Sequence, residues 1–117
     1  YRANLDPIVK LARRMAPHVV WVRTTPVDDA NHNEKHNPGF HRYAADVDRY
    51  NAAADAIMAA AAVPVIDLHT FTWNLGLDIY CDHAHFHEHV RERQAAFIAG
   101  WLGRWKAVAW APPARAK

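Results

Sequence analysis

None of the 117 positions is a serine. An acyl transfer that starts from a serine nucleophile therefore cannot be completed by this chain alone. Cysteine is almost as scarce. The single Cys81 rules out an internal disulfide, says little about compartment, and leaves no cysteine pair for a zinc site. No apolar run approaches the ~20 residues needed to cross a membrane as a helix. Excess charge is also small: 14 Lys and Arg stand against 12 Asp and Glu, a net +2 with histidine neutral. The basic residues are scattered rather than gathered into a patch or stripe, so nothing points to nucleic acid. No signal peptide opens the sequence. It begins at Tyr1 without methionine, which implies a processed, cleaved or trimmed polypeptide and leaves localisation unreadable from this end.

What is present is the composition of an ordinary globular domain, 51% hydrophobic and 22% charged. The length suits one domain around one core, here residues 1–110, with 111–117 (Pro112-Pro113 and two basic residues) as a flexible tail. Nine histidines make the net charge rise steeply below about pH 6.5, the unperturbed histidine value.

Periodicity divides the chain. In 4–16, Leu5, Ile8, Val9, Leu11, Ala12 and Met15 form a helical stripe, with Asn4 or Asp6 and Pro7 as its start and Pro17 as its end. Residues 18–23 are a β-branched apolar run without alternation, as in a strand buried on both faces of a parallel sheet. The polar stretch 28–41 reads as a long surface loop, of the kind that is usually functional or mobile. A second helix covers 42–62, with Val47, Tyr50, Ala54, Ile57 and Met58 on one face. Residues 63–68 are a second strand and 69–81 a connection. A third helix over 88–105 buries Val90, Phe97, Ile98, Trp101, Leu102 and Trp105. The alternation of helix and strand signals an α/β fold with parallel strands. There are only two strands beside the three helices, and two strands rarely make a stable sheet alone, so the sheet is expected to be completed by a missing segment or a partner chain.

Three constellations carry chemistry. In Asp82-His83-Ala84-His85-Phe86 an acid and an imidazole stand three residues apart, at the open edge of the sheet near strand C-termini, where α/β sites lie. His85 would be a general base and Asp82 its orienting carboxylate; the plainer reading is an aspartate capping the last helix beside a surface histidine. Second, His83, His85, His87 and His89 alternate. In an extended segment His83, His85 and His87 would face one side and could share a metal, with His69, Asp82 and Glu88 as further ligands. Without cysteine pairs or an H-E-x-x-H spacing there is no zinc signature, and a histidine-rich exposed loop is the plainer account; no cofactor is called for. Third, His32, His36 and His41 could line a substrate entrance, or bind metal if His32 and His36 lie on a helix, but Asn37-Pro38-Gly39 argues for a turn and a solvated loop. The tryptophans are expected mostly in the core, save Trp73, which is placed to touch a ligand; Thr25 and Pro26, leaving the first strand, join it as candidate substrate contacts.

Several blocks together resemble the SGNH (GDSL-type) serine hydrolases. These are Tyr1-Arg2-Ala3-Asn4-Leu5 before an amphipathic helix, a strand ending in Thr24-Thr25-Pro26-Val27, and Val47-Asp48-Arg49-Tyr50-Asn51-Ala52-Ala53-Ala54 before Val63-Pro64-Val65-Ile66-Asp67-Leu68. Asp82-His83-Ala84-His85-Phe86 is similar to the family's D-x-x-H-F block. The resemblance covers nearly the whole chain and implies the C-terminal half of a three-layer, flavodoxin-like esterase or lipase-like enzyme. It implies His85 as base, Asp82 as its partner, and an ester as substrate. Serine and oxyanion hole would lie on an absent N-terminal segment or second chain, and Asn4 and Asn51 do not match the family's oxyanion asparagine motif. The chain also departs from the family's T-x-E-G-like helix start, having His87-Glu88-His89 instead.

Overall fold

Two apolar stripes meet to make the main core. Helix α1 (Arg2–Met15) contributes Leu5 and Val9, and helix α2 (Ala44–Ala60) contributes Ala54 and Met58, with Val63 closing the cluster. Around it pack Val19, Trp21, Ile57, Ala61 and Val65. The structure is a computed structural model that describes residues 1–76 and 78–109. Along it run α1, strand β1 (Trp21–Val22), a π-helix π1 (Ala30–His36), α2, strand β2 (Val65–Ile66), α3 (Leu68–Trp73) and α4 (Glu88–Ala109). The chain is thus mostly helical around a small parallel sheet, an α/β mixture. β1 and β2 pair in parallel with Trp21 opposite Val65 and Val22 opposite Ile66, and two flanking bonds, Trp21 N–H to Pro64 C=O and Arg23 N–H to Ile66 C=O, extend the ladder slightly.

The sequence-based outline needs several corrections. α1 starts at Arg2, before Pro7, which lies inside the helix rather than at its first position. Only Leu5 and Val9 of its stripe are buried; Ile8, Leu11 and Met15 are exposed. On α2, Tyr50 is likewise half exposed and sets its ring edge against Tyr1, with centroids 4.7 Å apart. Both strands are two residues long rather than six. Residues 30–36 are not loop but a π-helix, ended by Asn37 in the left-handed region at φ 37°, a conformation asparagine tolerates better than most residues.

The connection after β2 also contains a helix, α3, capped by Asp67, whose Oδ1 accepts the Thr70 N–H at 3.0 Å. α3 and α4 are joined by Phe71 stacked on Phe97 at 4.2 Å and by the buried bond from Gln94 Nε2 to Thr72 Oγ1, 3.0 Å. On α4, Val90 is buried but Leu102 is exposed. No described tryptophan is fully buried: Trp21, Trp101 and Trp105 are half covered and Trp73 is exposed. The tail expected over 111–117 lies outside the described residues.

Two polar groups hold the sheet's carboxyl end. Asn51, buried on α2, clasps Thr24 with its side-chain amide: Oδ1 accepts the Thr24 N–H and Nδ2 donates to the Thr24 C=O, both at 2.9 Å. Arg23 reaches Asp67 at 3.0 Å and Asp55 at 3.2 Å, linking β1 to the cap of α3 and to α2. Burial alone would raise the Asp67 carboxyl, but the bonds from Thr70 and Arg23 outweigh it and hold it below its ordinary value.

Candidate active site

The loop that follows Asp78 folds back on itself. Tyr80 and Phe86 form an isolated antiparallel bridge, flanked by Cys81 N–H to His85 C=O at 2.8 Å and His87 N–H to Ile79 C=O at 3.0 Å. The Tyr80 and Phe86 rings stack at 4.9 Å. This small hairpin is anchored to the segment leaving β1 by Tyr80, whose hydroxyl donates to the Pro26 C=O at 2.6 Å. It therefore lies beyond the carboxyl end of β1, the side of a parallel sheet where ligand sites form. Burial, then the charge of Asp28, pushes the Tyr80 phenol up to about 12.

At the hairpin's tip Asp82 and His85 meet. Asp82 Oδ1 accepts the N–H groups of Ala84 (2.8 Å) and His85 (2.7 Å), which closes a tight turn. Its Oδ2 lies 2.7 Å from His85 Nδ1. The backbone donors of Ala84 and His85, then the His85 ring, hold the Asp82 carboxyl well below the ordinary carboxylate range. An ionised carboxylate only accepts hydrogen bonds, so the shared hydrogen belongs to Nδ1. In the neutral tautomer with hydrogen on Nδ1, the lone pair falls on Nε2, the arrangement a general base with an orienting acid requires. Asp82 does not cap the last helix, because α4 begins six residues later at Glu88. The pair is open to solvent, the side chains 41% (Asp82) and 77% (His85) exposed.

The other histidines of the alternation do not join His85 on one centre. His83 turns to His32, with Nδ1 to Nδ1 at 3.3 Å, and His87 stacks on His89 at 5.6 Å. Among the described residues no group of three or more His, Cys, Asp or Glu is arranged to hold a metal. His69 sits 3.6 Å from Asp48.

Sequence reasoning singled out His32 and His36 in π1 as an entrance or metal pair, but linked neither to Asp82 and passed over Asn31 and Asn33. Asn31 Nδ2 donates to the Asp82 C=O at 2.9 Å. His32, fully buried rather than solvated, places Nδ1 3.0 Å from the His83 C=O. On the far side of π1, Asn33 brackets the Arg42 backbone at 2.7 and 2.9 Å, and Asp29 accepts the Ala44 N–H at the start of α2 at 2.6 Å. The run Asn31-His32-Asn33 was the available signal, since these side chains replace a backbone partner where no regular ladder exists.

A cavity of about 270 Å³ opens beside the hairpin, walled by Pro26, Val27, Asp28, Trp73, Ile79 and Tyr80. Pro26 and Trp73, both singled out from sequence, line it; Thr25 does not. It shares Ile79 and Tyr80 with the hairpin that carries Asp82 and His85. Searches for related proteins returned no matching family model, no matching curated protein and no matching solved structure.

Proposed function

We propose that this chain supplies the acid–base arm of an SGNH-type ester hydrolase whose serine and oxyanion donors reside on another segment or a second polypeptide. The observation that carries the proposal is the 2.7 Å bond between Asp82 and His85 Nδ1, beyond the carboxyl end of a parallel strand, in a chain without serine. His85 Nε2 would take the serine proton as the hydroxyl attacks the ester carbonyl, then return it to the leaving alkoxide. Asp82 would hold the tautomer and offset the imidazolium charge. The cavity beside Tyr80 would receive one arm of the ester against Trp73 and Pro26.

The finer fold belongs to the same proposal: a three-layer, flavodoxin-like domain in which further strands extend the β1–β2 pair. Supporting it are a sheet too small to stand alone and the exposed apolar residues Ile8, Leu11 and Met15 on α1. Nothing in the arrangement of His83, His85 and His87 favours a metal-binding module over this reading.

The test is reconstitution. Intact-mass analysis of the native preparation is expected to reveal a second polypeptide, or a longer form of this one, with a Gly-Asp-Ser stretch. Combined with it, the chain should hydrolyse a short acyl ester, and Asp82→Asn should lower kcat by about 10⁴-fold, with His85→Ala at least as severe. The 117-residue chain alone should be inactive. Hydrolysis by the isolated chain, or a completed protein indifferent to His85→Ala, would remove the proposal.

A further inference from the structure

We infer that Asn31 and His32 are positioning residues for the Asp82–His85 pair; this rests on reading that pair as the acid–base arm. Two separable tasks face an exposed catalytic pair. Its members must keep their mutual geometry, and the pair must be kept in one place relative to the rest of the site. The first is local. Asp82 binds the Ala84 and His85 backbone and the His85 ring itself, so these bonds travel with the loop wherever it goes. The Tyr80–Phe86 bridge fixes only the hairpin's base.

Placement of the tip is left to π1. Two consecutive residues of the π-helix deliver two donors to two consecutive carbonyls: Asn31 to Asp82 and His32 to His83. π1 is itself held against the start of α2 by Asp29 and Asn33, so the clamp connects the catalytic tip to the rigid body of the domain. Short π-helical stretches occur often at functional sites.

The state of His32 argues that this contact is retained for more than packing. Its ring is fully buried, with Phe40 against it at 5.2 Å. Nδ1 is spent on the His83 carbonyl and ring, and Nε2 is buried without a partner among the described residues. A leucine would fill the same space without stranding a polar nitrogen. What a leucine lacks is the donor aimed at residue 83.

The experiment compares His32→Leu, His32→Asn and Asn31→Ala in the 117-residue chain and in the completed hydrolase. His32→Asn keeps a donor at the same number of bonds from the backbone. Backbone ¹⁵N relaxation in the chain should show residues 82–85 falling from the rigid order parameters near 0.85 toward those of flexible loops, below about 0.6, in His32→Leu and Asn31→Ala. Amide protection around Leu5 and Met58 should be unchanged, and His32→Asn should restore order. In the completed enzyme the same two variants should lower kcat by up to about 100-fold with KM unmoved, as for a small misplacement of a catalytic group. Unchanged order at 82–85, or a kcat that does not fall, overturns the inference; so does a fall in kcat that tracks loss of the core. If His32→Leu does not fold, Asn31→Ala, at a partly exposed side chain, decides alone. If the unsubstituted completed protein shows no hydrolysis, the functional reading fails, and the relaxation data still decide whether π1 holds the loop.

Discussion

Asp82 and Tyr80 sit two residues apart and are shifted in opposite directions, for different reasons. Asp82 is exposed, and donors from the Ala84 and His85 backbone and the His85 ring lower it. Its contribution is present above the ordinary aspartate value near ~3.9 and is lost as pH falls through the lower folded value. The Asp82 carboxylate therefore stays ionised throughout the neutral range. Tyr80 is raised by burial and by Asp28 to about 12. Its contribution is complete below the ordinary tyrosine value near ~10 and disappears as pH climbs from there through about 12. In a spectrophotometric titration, two of the four tyrosines, Tyr1 and Tyr80, should ionise above the ordinary value, and Tyr80→Phe should abolish the step at about 12. The same substitution removes the hydroxyl from the Pro26 carbonyl and should lower stability by about 1 kcal/mol. A titration with no step at about 12, or one whose step there survives in Tyr80→Phe, contradicts the assignment.

The elements differ in how plainly the amino acids announce them. α1, α2 and α4 were readable because apolar residues recur with helical spacing, although exposure of Ile8, Leu11, Met15 and Tyr50 shows that periodicity marks a face without saying what covers it. Parallel pairing was readable from the unalternating apolar runs, but strand length was not, since pairing ends where Asp67 caps α3 and the Asn51 side chain takes the Thr24 N–H and C=O. α3 was legible in retrospect: Asp67 directly before the apolar Leu68 is a helix-start signal. π1 was not, because its residues are polar and its stability comes from side chains bonded to distant backbone. The Asp82–His85 spacing was legible; the residues that place it, 51 positions earlier, were not.

α2 ends in a two-bond capping motif, Val63 N–H to Met58 C=O and Ala62 N–H to Ala59 C=O, with Val63 and Met58 packed in the core. Here Ala62 occupies the left-handed position at φ 52°, where glycine is preferred. Ala62→Gly should therefore stabilise the protein by about 1 kcal/mol, read as a higher denaturant midpoint with unchanged slope. Asn51→Ala, which strips both partners from Thr24, should cost about 1–3 kcal/mol. A destabilised Ala62→Gly, or an Asn51→Ala as stable as the parent, would contradict these accounts of the α2 end and the β1 clasp.

At the scale of the molecule, the Cα radius of gyration is 17.3 Å, against about 13 Å for a compact chain of this length. A two-stranded sheet and an α1 face with Ile8, Leu11 and Met15 in solvent are the features on which the proposed completing segment rests. The proposed segment would bind the folded state, so adding it at about 100 times its Kd should stabilise the chain by about 2.7 kcal/mol. A thermal midpoint indifferent to the segment would contradict that completion. The clamp between π1 and the hairpin has a further consequence, in the order of assembly. The hairpin closes over the few residues between Tyr80 and Phe86, whereas the clamp closes a separation of 51. Short closures have the smaller entropic barrier, so the hairpin is expected to close before the clamp, and the proposed acid–base pair is placed only when the hairpin docks on π1.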